Sequence, residues 1–265
     1  MYDVSEAQVG PLSGSWHGRE DDPRPAFVLL HGLSFDRSMW DPALAALAQL
    51  DPDRRVLAVD LPGHGRSAKR WSTGADSVVA AIHDAVTAAA LDAPVIVGHS
   101  IAGLLATVYA ARHPTNGVIN VDQPLRIRPF GERVQSLRDL LQDPQSFPSV
   151  WKQFAESMHT ELLPADAQAL LARSGQPRQD LVLAYWDDLL TTDPAKIQDW
   201  TDRELRSLAL RQTPYLVIAG AQPDPDYLAW LRERLPAAEL QTWPDSGHFP
   251  QLADAMRFAQ VLSKF

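Results

Sequence analysis

The 265-residue sequence contains no cysteine. Disulfides, thiolate nucleophiles and cysteine-ligated metals are excluded together. Long apolar runs are also missing: none comes near the roughly 20 residues that a membrane helix needs. Positive charge is sparse. Lys and Arg number 24 against 33 Asp and Glu, a formal net charge of −9. No basic cluster is present to hold nucleic acid or an anionic membrane, so neither is expected as a partner. No His, Asp and Glu grouping has a recognisable metal-ligand spacing. The first residues, MYDVSEAQVG, hold neither a basic stretch nor an apolar one. A secretory leader is therefore not expected, and a cytoplasmic setting is.

What is present is an ordinary globular balance. Hydrophobic residues make up 45% and charged residues 22%, enough apolar material for one large core. Four short apolar runs read as buried parallel strands: 26–30, 55–61, 93–98 and 214–220. A weaker candidate covers 116–122, and 238–243 has the look of an edge strand. Helical patterns follow most of these runs, which implies an open parallel sheet covered on both faces. The first 25 residues are expected to add one or two antiparallel strands. From about Gln123 to Leu210 the alternation stops. Helical pieces separated by Pro144, Pro148, Pro164, Pro177 and Pro194 take its place. The fold class expected is therefore α/β. Residues 1–122 and 211–265 would form the core, and 123–210 a helical lid inserted between two strands.

One serine stands where the run at 93–98 gives way to a helical pattern: Gly98-His99-Ser100-Ile101-Ala102-Gly103. In an open α/β sheet, ligands sit beyond the carboxyl ends of the strands, and Ser100 falls at such an end. The segment resembles the nucleophile elbow, Gly-x-Ser-x-Gly, of the α/β-hydrolase superfamily. Ala102 stands where that pattern has its second glycine, and Gly103 comes one step later. Three more stretches are similar to that family and follow its order. They are FVLLHGLSFDRSMW (27–40), VDLPGHGRS (59–67) and WPDSGHFPQLADAMRFAQVL (243–262). Together the four span nearly the whole chain.

The resemblance implies an α/β-hydrolase fold and a serine-nucleophile site of the esterase or lactonase kind. Ser100 would be the nucleophile and His248 its general base, since a serine hydroxyl is weak until an imidazole takes its proton. The backbone N–H groups of Ile101 and Leu33 would form the oxyanion hole, with Ser34 second to Leu33. His31 would shape that turn. The third member, an acid, has two candidates. Asp224 lies one residue later than the family's usual position after the last inner strand. Asp122 ends the run at 116–122, an alternative place for the acid in some relatives. Asp226 is a more distant third. All keep the chain order serine, acid, histidine. No metal or cofactor is required.

Serine at the elbow suits acyl transfer. The reaction implied is hydrolysis of an ester, thioester or lactone of a small to medium apolar acyl compound through an acyl-enzyme. In the helical stretch, Trp151, Phe154, Met158 and Leu162 recur on one helix face, and Tyr185 and Trp186 are adjacent. Trp151, Phe154 and Trp186, with His99 in the elbow, are the expected substrate-binding residues. Arg126 and Arg128 would lie near the pocket mouth if Asp122 does. A monomer or homodimer is expected. The alternatives are a same-fold lyase, carbon–carbon bond hydrolase, acyltransferase or cofactor-free oxygenase, or a non-enzymatic ligand-binding receptor.

Overall fold

The computed structural model describes residues 5–69, 74–175 and 177–265. Its strands, among the described residues, are β1 (Ser5–Val9), β2 (Leu12–His17), β3 (Phe27–Leu30), β4 (Val56–Val59), β5 (Val95–His99), β6 (Gly117–Val121), β7 (Tyr215–Ala219) and β8 (Glu239–Thr242). They form one sheet in the order β1-β2-β4-β3-β5-β6-β7-β8. β2 runs antiparallel to both its neighbours, and all other pairs are parallel. Of the 25 N-terminal residues expected to supply antiparallel strands, residues 1–4 lie outside the described residues, and the rest supply β1 and β2.

The central strands are apolar on both faces because each face meets its own core. Period-two alternation sends Val28, Leu30, Ile96, Val118 and Val217 to one side, beneath the helices Ala75–Ala88 and Ile101–Arg112. Phe27, Leu29, Val97, Ile119, Val121 and Ile218 go to the other, against the helices Asp41–Leu50 and Ala255–Lys264. On that side Trp40 stacks on Phe258 with ring centroids 5.7 Å apart. Only β8 is partly exposed along its length among the inner parallel set, as befits an edge.

Six α-helices and a final long one fill the chain between β6 and β7 among the described residues. The final helix, Pro194–Arg211, reaches the core. It packs along Ile101–Arg112, where Ser207 Oγ donates to Ala111 O at 3.0 Å and Arg112 pairs with Glu204 at 2.7 Å. This helix is the crossover that parallel β6 and β7 require. It also meets the inserted helices Arg128–Ser136 and Asp187–Thr191, with which the sequence pattern groups it. No helix among the described residues is long and apolar enough to cross a membrane.

Strand order reverses between β3 and β5: the chain steps outward from β3 to β4, then returns to β3's other side. A crevice opens at such a reversal. Register brings the strand ends level around it, with Leu30 opposite Gly98, His99 opposite Val121, and Val121 opposite Ile218.

Candidate active site

Ser100 follows β5 directly and has φ 55° and ψ −134°, a conformation few non-glycine residues adopt. The backbone makes the turn possible at Gly98, where an added Cβ would run into the carbonyl of Ala102. Ser100 N–H donates to Val121 O at 2.9 Å, and Ser100 O accepts from Gly103 N at 2.7 Å. The serine side chain makes no capping bond to the helix that starts at Ile101. Ser100 instead borders a cavity of about 810 Å³. Ala102 is fully buried in the core, so its methyl is accommodated where the motif has glycine. Gly103 has a different reason to be small: a Cβ there would strike the Asn120 side chain.

Beside the serine, the turn after β3 is pinned by two buried imidazoles. Leu61 N–H donates to His31 Nε2 at 2.9 Å, so the His31 proton sits on Nδ1 and donates to Gly32 O at 2.8 Å. Ser34 N–H likewise donates to His64 Nε2 at 3.1 Å, leaving His64 Nδ1–H for Pro62 O at 3.2 Å. Burial holds both histidines neutral, His31 down to about 4 and His64 to about 3. Ser34 therefore has its N–H committed to His64. Leu33, beside it, borders the cavity together with Ile101.

Asp122 follows β6 with φ 56°. Its Oδ1 accepts from Gly220 N–H at 2.7 Å and its Oδ2 from His248 Nδ1 at 2.7 Å. Burial works to raise this carboxyl's pKa. The His248 hydrogen bond and charge, with the Gly220 N–H, outweigh that and hold it below the ordinary carboxylate range. His248 thus has Nδ1 engaged and Nε2 left to meet a hydroxyl. Ser100, Asp122 and His248 all border the same cavity.

The histidine loop is held from both sides. His248 N–H donates to Met158 O at 2.9 Å, a contact from the inserted helices. His248 O accepts from His99 Nε2 at 2.7 Å. This overturns the expectation that His99 faces the substrate: it is fully buried, is absent from the cavity lining, and braces the loop from below. Burial, reinforced by nearby His248, lowers His99 to about 3, so it is a neutral donor.

Asp224 is not brought to the site. Its Oδ1 accepts from Asp226 N at 2.8 Å and Tyr227 N at 3.3 Å, capping the helix Pro225–Arg234. The two prolines around it make a helix start, with Pro225 at the first helical position. Asp226 is in that first turn, and neither aspartate borders the cavity. The contact with His248 belongs to Asp122.

Trp151, Phe154 and Trp186 do border the cavity, joined by Phe130. Trp186 lies 5.3 Å from Phe130, 5.2 Å from Phe154 and 6.1 Å from Trp151, centroid to centroid. Leu162 is exposed and takes no part. Arg126 borders the cavity with its Nη2 donating to Asp226 O at 2.9 Å, whereas Arg128 pairs with Glu132 away from it. Sequence reasoning missed Gly220 and the Met158 carbonyl, which act through backbone atoms and leave no side-chain signature.

Comparison with known proteins agrees with this architecture. The model of the alpha/beta hydrolase family matches residues 27–261. The chain is 29% identical over 273 residues to the dihydrolipoyllysine-residue acetyltransferase component of the acetoin cleaving system of Pseudomonas putida, covering 98% of this chain and 68% of that protein. It is 26% identical over 260 residues to 2-succinyl-6-hydroxy-2,4-cyclohexadiene-1-carboxylate synthase of Serratia proteamaculans, covering 91% and 93%. Among solved structures, the AqdC variant in complex with the Pseudomonas quinolone signal superposes with a TM-score of 0.76 at 19% identity, over 99% of this chain and 98% of that one. At that identity the likeness speaks for the fold alone. With the family model covering β3 to β8, the serine turn and the histidine loop, the chain belongs to the alpha/beta hydrolase family.

Proposed function

We propose that the protein is a serine hydrolase that cleaves a carboxylic ester, or a thioester or lactone, of a small to medium apolar acyl compound. The observation that carries this reading is the 2.7 Å contact between His248 Nδ1 and Asp122 Oδ2, made beside a cavity that Ser100 also borders. Asp122 fixes the imidazole tautomer and steadies its charge. His248 Nε2 takes the Ser100 hydroxyl proton as Oγ attacks the carbonyl carbon. The carbonyl electron pair moves to oxygen, which the Leu33 and Ile101 N–H groups receive. The intermediate collapses, the leaving alkoxide takes the proton from His248, and an acyl-serine remains. Water then repeats the sequence and releases the acid and Ser100. Residues 123–210 act as the lid, and the aromatic wall of Phe130, Trp151, Phe154 and Trp186 receives the acyl group. The relatives' named reactions differ from one another, so the choice rests on this geometry.

The test is turnover of p-nitrophenyl esters from acetate to octanoate by wild type and Ser100→Ala, with fluorophosphonate labelling alongside. Wild type should turn over at least one ester, and Ser100→Ala should lose about 10⁴-fold or more in kcat. A serine that labels without any ester turnover would move the reaction to another substrate class. A protein that neither labels nor turns over would be a ligand-binding member of the fold.

A further inference from the structure

Asn120 is a polar residue in an apolar strand, fully buried on the face that Val118 and Val217 share beneath the helix Ile101–Arg112. Its surroundings determine every proton. Thr107 Oγ1 donates to Gly103 O at 2.7 Å, which uses its only hydrogen. The 2.7 Å contact with Tyr215 must therefore have Tyr215 OH as donor. Tyr215 oxygen then accepts from Asn120 Nδ2 at 3.2 Å. The second Asn120 N–H goes to Gln123 O at 2.9 Å, and Asn120 Oδ1 accepts from Gln123 N at 3.1 Å. The side-chain amide thus grips both backbone groups of Gln123, and Asp122 is the residue forced through the tight bend between them.

We infer that Asn120, Tyr215 and Thr107 are positioning residues that hold the Asp122 carboxylate against His248 and tie it to the elbow helix carrying Ser100. The chain begins at the Asp122 bend and ends on Gly103, three residues past the serine. Gly103 has to be glycine because Asn120 occupies the space of its side chain. Asp122 adopts φ 56°, a left-handed conformation that residues other than glycine rarely hold without support, and Asn120 supplies that support from outside. Tyr215 is buried and kept protonated far above the ordinary phenol range, so it is a constant donor. A buried network in which each donor and acceptor is used has one arrangement. One arrangement is what a carboxylate aimed at a specific imidazole nitrogen requires.

The inference rests on the hydrolase reading, and its test separates the two. Tyr215→Phe and Thr107→Val delete one hydroxyl each, while Thr107→Ser keeps the hydroxyl and loses a methyl. On the best ester, the first two should lose about tenfold or more in kcat with KM within about twofold, the mark of a misaligned catalytic group. Thr107→Ser should stay within about twofold of wild type. In parallel, the low-field proton resonance of His248 Nδ1–H, identified by its loss in Asp122→Asn, should shift or broaden in Tyr215→Phe and Thr107→Val at temperatures where both are folded. Lowered melting temperature with unchanged kcat and resonance would make the network mere packing and overturn the inference. If wild type turns over no ester, the hydrolase reading fails, and the resonance alone decides: an unperturbed signal in folded Thr107→Val rejects the positioning role. Should Tyr215→Phe fail to fold, the Thr107 pair carries the same comparison.

Discussion

Asp122 and His248 stand 126 residues apart in the chain and meet at 2.7 Å, while Asp224, only 24 residues before the histidine, turns its carboxylate onto its own helix. The two aspartates separate cleanly on substitution. Asp122→Asn should lower kcat by about 10⁴-fold, because an amide cannot hold the imidazole in the tautomer that leaves Nε2 free to accept. Asp224→Asn should leave kcat within about twofold and stability nearly unchanged, since asparagine caps a helix as well as aspartate. Steady-state kinetics of both on one p-nitrophenyl ester decide the matter. Collapse of the Asp224 variant with survival of the Asp122 variant would reverse the assignment.

Acid should unfold the protein through its buried histidines. His31 and His64 are held to about 4 and about 3 chiefly by burial, and His99 to about 3 by burial and its neighbour His248. Their unfolded values are near 6.5. Below that pH the unfolded chain binds protons that the folded chain refuses, so stability falls as pH falls. Each histidine costs up to about 1.4 kcal/mol per pH unit over the window from about 6.5 down to its folded value. Urea midpoints should hold steady above pH 7 and drop steeply between pH 6 and 4. The depressed carboxyl of Asp122 acts in the same direction at lower pH. A midpoint flat down to pH 4.5 would mean that these rings are accessible and already charged.

Much of this was legible in the letters, for reasons that differ by residue. The inner strands are apolar on both faces, so β3, β4, β5 and β7 stand out as short runs, and Gly98 before Ser100 marks the turn. Asp122 was visible as a strand-ending aspartate, yet nothing local prefers it to Asp224. The choice depends on β6 lying beside β7 and on the loop after β8 folding back over both, which is register, not composition. Asp224 misleads because Asp-Pro at a helix start looks like a late version of the family's acid turn. His99 misleads because the elbow's geometry tips its side chain under the histidine loop. The contact of the helix Pro194–Arg211 with Ile101–Arg112 was not legible, because a helical period says nothing about which neighbours a helix meets.

The motif departure at Ala102 makes its own prediction. Its methyl is buried and in contact with the core, while Gly98 has the Ala102 carbonyl where a Cβ would go. Ala102→Gly restores the family pattern but should cost about 1 kcal/mol in helix propensity, plus the lost methyl burial, with kcat unchanged. Gly98→Ala should do far more damage, because backbone must move to admit the methyl and the serine turn moves with it. Thermal melts with matched kinetics distinguish them. Equal tolerance of both would show that the elbow is looser than the glycine contact implies.

The aromatic wall should set acyl length. Trp186 packs against Phe130, Phe154 and Trp151 at the cavity edge, so truncating it enlarges the cavity and breaks up that aromatic wall. Trp186→Ala should raise KM for short acyl esters and shift the ratio of kcat/KM for octanoate over acetate upward by about tenfold, the order of one or two methylenes of discrimination. It should also cost stability, about 3 kcal/mol or more, since the ring is buried. Phe154→Leu is the milder partner: it trims the same wall with less loss of packing, and should move the ratio in the same direction by less. If the ratio stays constant in both variants while stability falls, these rings only fasten the helices to the core, and the acyl group lies elsewhere in the cavity, along Leu104, Leu105 and Ile127.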